Sequence, residues 1–139
     1  MLGDRRFYIR KSKQEIADED ARYAKWAFPH GDEQRAKLEK LLLEVFPKES
    51  LATALIPYLT CKELYEKELE EQGDVDRAVN YMLNVRKKYK LIVTKKMMPA
   101  LLALVVADAE LNSEEIEYPT KEEILVKTAE YENRRVDTK

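Results

Sequence analysis

Eleven consecutive residues, Met97 to Ala107, carry no polar side chain. That run constrains the chain more than any other feature. A membrane-spanning helix needs about 20 such residues, so this one is too short to cross a bilayer. A helix without a polar face must be enclosed by other helices, which makes it the expected centre of the fold. Pro99 is compatible with this only in the first helical turn, where its missing N–H costs nothing.

The surrounding chain can supply the enclosure. With 139 residues and 45% apolar composition it reads as one domain with a sizeable core. Helix starts are marked by side chains that accept from orphan backbone N–H groups. Ser12 with Glu15, Thr60 with Glu63 and Thr120 with Glu123 have capping-box spacing, and Asp32, Asp74 and Ser113 suit simple caps. Breakers stand at Phe28-Pro29-His30-Gly31, Pro47, Gly73 and Pro119.

Between these marks the apolar spacing is helical. Ile16, Ala17, Ala21, Tyr23, Ala24, Ala27 and Phe28 give one face of a helix over 13–28. Leu38, Leu41, Leu42, Val45 and Phe46 stripe a helix over 33–46. Ser50 opens a short turn that Pro57 interrupts, with a separate helix over 61–72. Val75, Ala78, Val79, Met82, Val85 and Tyr89 face inward on 75–90, and Ile124, Leu125, Thr128 and Tyr131 on 121–133. Leu91-Ile92-Val93-Thr94 is β-branched, but no second alternating run exists to pair with it, so it reads as a connector. The prediction is an all-α, single-domain bundle of about six helices around the apolar helix 97–107, with a basic N-terminal arm (1–12) and a frayed tail (134–139).

Composition excludes several chemistries. Three glycines leave no phosphate-cradling loop, one cysteine leaves no disulfide or CxxC pair, and one histidine leaves no multi-histidine metal site. No catalytic residue, cofactor or metal is expected. Asp108, Glu110, Asn112 and Glu114 have the alternate spacing of a calcium loop's opening, but Ser113 stands where the turn needs glycine and Pro119 where a bidentate Glu closes the site. The stretch LLALVVADAELNSEE (101–115) resembles the apolar helix and acidic hinge of tellurite-resistance TerB-type helical modules. That likeness covers fifteen residues and lacks the usual hinge glycine; it implies a helical module and carries no activity with it. His30 beside Asp32, and Cys61 at the start of a helix, are the remaining chemical candidates. Both read more simply, as a surface turn histidine and a small buried residue. Glu63, Glu66, Glu70 and Glu71, beside Lys62 and Lys67, read as a solvated face.

Net charge is −2, yet the charge is segregated. Residues 1–13 carry net +4 and residues 85–98 net +6; the stretches 14–50, 51–84 and 99–139 carry −3, −4 and −5. The first basic block is Arg5, Arg6, Arg10, Lys11 and Lys13 around Phe7, Tyr8 and Ile9, its arginines being the binding candidates; the second is Arg86, Lys87, Lys88, Lys90, Lys95 and Lys96. With the aromatic candidates Tyr8 and Trp26, these are the expected binding residues. They suit electrostatic complementarity to a protein partner. The expected function is therefore non-enzymatic: an adaptor, structural component or small inhibitor, including one carried by a mobile element, acting through protein contacts. The alternative is a nucleic-acid-binding module that uses both basic blocks. Without a signal-like apolar segment and with an unpaired thiol, the cytoplasm is the expected compartment, and no membrane partner is expected.

Overall fold

The computed structural model describes residues 13–84, 93–94, 96–111 and 117–135. Six helices make up the described fold: α1 (Lys13–Ala27), α2 (Asp32–Val45), α3 (Leu51–Gln72), α4 (Val75–Asn84), α5 (Met98–Ala109) and α6 (Lys121–Asn133). There is no strand among the described residues, and no helix there is long and apolar enough to cross a membrane.

The apolar run forms α5, and Leu101 to Val106 are all buried. Helices α3, α4 and α6 pack around it, while α2 closes the bundle against α3 and α6. Pro99 lies in the first turn, as its ring requires. Of the expected connector, Val93 is buried and Thr94 Oγ1 accepts from the Met97 N–H at 3.2 Å, while Leu91 and Ile92 lie outside the described residues. Thr120 and Glu123 form the full reciprocal box at the start of α6, and Asp74 Oδ2 accepts from the Arg77 N–H at 3.1 Å. Gly73 ends α3 at φ 74, a left-handed conformation that disfavours a side chain.

Four expectations are corrected. First, α3 is one helix of 22 residues and not two, with Pro57 inside it. An internal proline removes one hydrogen bond and costs about 3 kcal/mol. Burial of Ala54, Tyr58, Cys61 and Tyr65 along a single stripe outweighs that cost. Thr60 accordingly caps nothing, and its hydroxyl donates back to the Ile56 carbonyl at 3.0 Å. Second, α2 starts at Asp32 itself, after Gly31 at φ 88, and Asp32 makes no capping bond as an N-cap. Third, the predicted inner face of α1 is mostly outside: Ala17, Ala21, Tyr23 and Ala24 are exposed, and Ala27 and Phe28 are the buried members among those described, the Ile16 side chain lying outside them. A stripe of alanines offers little apolar area to bury, so it does not pull the helix onto the bundle. Fourth, Val75 and Leu125 are exposed rather than inward-facing. Ser12, Ser113, Val85 and Tyr89 lie outside the described residues, as do the arm 1–12, residues 85–90 of the expected fourth helix and the tail from 136 onward.

Candidate functional site

The bundle holds a cluster of polar groups at the junction of α1, α2, α3 and α5. Each member occupies a position that its helix turns inward. Gln34 is one turn before Leu38 on the stripe of α2, Lys62 one turn after Tyr58 on α3, and Asp108 one turn after Leu104 on α5. All three are buried.

Asp108 is the hub. Its Oδ1 accepts from Gln34 Nε2 at 2.6 Å and from the Tyr118 hydroxyl. Its Oδ2 faces Lys62 Nζ at 3.6 Å, with both side chains over nine-tenths buried. Lys62 Nζ also donates to the Trp26 and Ala27 carbonyls at 2.8 and 3.2 Å. Those carbonyls end α1, where intrahelical partners run out and the helix dipole favours a cation. Gln34 Oε1 accepts the His30 N–H at 2.7 Å, which holds the turn between α1 and α2. One network thus fastens four segments that sequence separates by as many as 74 positions.

A cleft of about 460 Å³ opens beside this cluster, with Trp26, His30, Tyr65, Glu66, Lys62 and Asp108 among its walls. The Trp26 indole N–H donates to Glu66 Oε1 at 2.7 Å, and Lys62 Nζ sits 5.1 Å from the indole centroid. The ammonium donates to two carbonyls and is paired with Asp108, Asp108 also accepts from two donors, and the indole N–H is satisfied. The chemistry of the cluster is mutual neutralisation; no group in it is a bare nucleophile. Among the described residues no set of three His, Cys, Asp or Glu could hold a metal ion.

The titration behaviour follows from burial. Burial, then the Asp108 carboxylate, pushes the Tyr58 hydroxyl well above its usual value. That hydroxyl is fully buried without a hydrogen-bond partner among the described residues. Burial, then donation to Asp108, does the same for Tyr118. Burial raises Tyr131 to about 12 from its ordinary 10.0. In each case the folded state holds its proton more tightly than the unfolded chain does. Stability contributed by these tyrosines is therefore complete below about pH 10 and is lost as pH rises through the folded values. Urea midpoints followed from neutral to strongly alkaline pH are expected to stay level and then fall above about pH 10. Tyr118→Phe should make that fall shallower; an unchanged profile would separate Tyr118 from it.

Cys61 lies in the middle of α3, not in a first turn, and is fully buried. Burial pushes its thiol far above the range of reactive cysteines. A thiol reagent is expected to label it only at the rate of unfolding. Rapid labelling of folded protein would show that the thiol is reached from solvent.

Of the residues expected from sequence to bind a partner, Arg5, Arg6, Tyr8, Arg10, Arg86, Lys87, Lys88, Lys90 and Lys95 lie outside the described residues. Lys96 is exposed. Trp26 is half-buried, with its ring committed to Glu66 and Lys62. His30 reaches the cleft, and its backbone rather than Asp32 ties it to the network. Lys62, expected on a solvated face, is buried, whereas Glu63, Glu66, Glu70 and Glu71 are exposed as expected. Asp108, expected in a polar hinge, points into the bundle. The signal for the cluster was a polar residue at a core position on each of three helices. No family model, curated protein or solved structure matches the chain.

Proposed function

We propose that this protein is a non-enzymatic helical module that acts by binding another protein, with α1 and the basic segment leading into it as the contact element. The observation that carries the reading is the exposure of α1. An isolated helix of about 12–15 residues is marginal in water, and from Ala17 onward this helix of 15 residues buries little beyond its C-terminal end. Tyr23 is 54% exposed on it, against Trp26 at 5.5 Å between ring centroids. A partner that covers Ala17, Ala21 and Tyr23 supplies the burial that the bundle does not. The net +4 block of residues 1–13 runs directly into this helix and gives such a partner an electrostatic approach. The commitment of Asp108, Lys62 and Gln34 to one another supports a structural rather than catalytic role for the polar cluster. A reducing cytoplasmic setting suits the lone unpaired thiol.

Affinity capture from the native host, followed by binding of the purified partner, tests the reading. Ala21→Arg with Tyr23→Asp should keep the circular dichroism of the parent and lose the partner. Charge reversal at Arg5, Arg6 and Arg10 should slow association, with affinity retained at moderate salt in the parent. Undiminished binding by both variants would remove α1 and its basic lead from the interface. A nucleic-acid ligand with a log–log salt slope of about −0.9 per duplex phosphate would replace the protein partner altogether.

A further inference from the structure

A second recess, of about 740 Å³, runs between the end of α5 and the start of α6. Its floor is apolar, made by Val106, Leu111, Ile124 and Val126 among others. Val126 is 70% exposed, the most exposed large apolar side chain among the described residues. Among the described residues, the charged side chains lining it are Glu110, Glu117, Glu123 and Lys127, three carboxylates and one ammonium. Tyr118 forms part of the wall, and its hydroxyl donates to Asp108, so this wall is anchored to the buried network. Glu123 is likewise held by the capping box, with Oε1 accepting from the Thr120 N–H at 3.0 Å. Residues 112–116, which join the two flanks in sequence, carry none of the argument.

We propose that this groove is a docking site for a basic amphipathic helix of a partner protein. An apolar recess flanked by carboxylates suits the apolar face of a helix, whose side chains repeat at i, i+3 and i+4. The excess of carboxylates selects lysine or arginine on the flanks of that helix and disfavours an acidic one. Anionic ligands, nucleic acids included, meet the same carboxylates and are repelled. The site stands apart from α1 and does not rest on the role assigned to that helix.

The test uses the full chain and two labelled peptides, a Leu/Lys amphipathic helix and the same peptide with Glu in place of Lys, followed by fluorescence anisotropy. The Leu/Lys peptide is expected to bind the parent, and the Leu/Glu peptide to bind it at least about tenfold more weakly. Reversal to lysine at Glu110, Glu117 and Glu123 together should invert that preference. Val126→Asp should weaken both peptides wherever they bind. The control, Glu44, Glu70 and Glu71 reversed to lysine, changes net charge equally but lies on α2 and α3. It should shift affinity by no more than about threefold, as a long-range field does in screened solution. Equal losses from the groove and control variants would mean that net charge alone attracts the peptide, and would overturn the proposal. So would indifference of both peptides to Val126→Asp.

Discussion

Asp108→Ala is expected to destabilise the protein by about 3–5 kcal/mol, the range found when one partner of a buried ion pair is removed. The carboxylate accepts from Gln34 and Tyr118 and faces the Lys62 ammonium at 3.6 Å, with 4% of its side-chain surface exposed. Its removal leaves two donors without an acceptor and an ammonium without a counter-charge. The two α1 carbonyls still hold Lys62, but dipoles do not cancel a full charge. A domain of this size is stable by roughly 5–15 kcal/mol, so the variant stands close to unfolding at ambient temperature. Urea denaturation measures the loss. Lys62→Met strands the opposite charge and is expected to be costly as well. The double variant should lose less than the sum of the two, because neither charge is then left unpaired. Strict additivity, or a loss under about 0.5 kcal/mol for Asp108→Ala, would mean that water in the adjacent cleft solvates the survivor.

The second large effect is expected at Leu104→Ala, a loss of about 2–5 kcal/mol. Leu104 is fully buried in the central helix, against which three others pack. A cavity there cannot be closed by movement of one outer helix, since α3, α4 and α6 all rest on α5. Leu41→Ala on α2, 4% exposed, belongs to the same range. Leu43→Ala is the internal control. That side chain is 40% exposed two positions along the same helix, and its loss should stay within about 0.5 kcal/mol. Similar values at Leu43 and Leu104 would contradict the assignment of inner and outer faces.

The contrast between these leucines was legible in the sequence, and so was most of the helical framework. Hydrophobic period and capping chemistry are local, and the energies that place α2, α5 and α6 act within one or two turns. Thr120 with Glu123 needs nothing distant to form its box, and an all-apolar α5 has no stable place except the centre. Long-range packing overruled the local rules in three places. Pro57 breaks an isolated helix, yet α3 passes through it because the stripe from Ala54 to Tyr65 is buried on both sides of the proline. The alanine face of α1 has helical spacing, but spacing cannot say whether so little apolar area will find a partner within the chain. Lys62 and Asp108 look like surface charges in one dimension. They became a buried pair because two helices bring them to 3.6 Å at a point where α1 also runs out of intrahelical partners for its carbonyls. The sequence by itself determined most of the helical segments and which helix must be central, because those outcomes follow from neighbours a turn apart. Only the tertiary structure decided which polar residues meet, since the free energy of a buried charge depends on what surrounds it in space and not on what adjoins it in the chain.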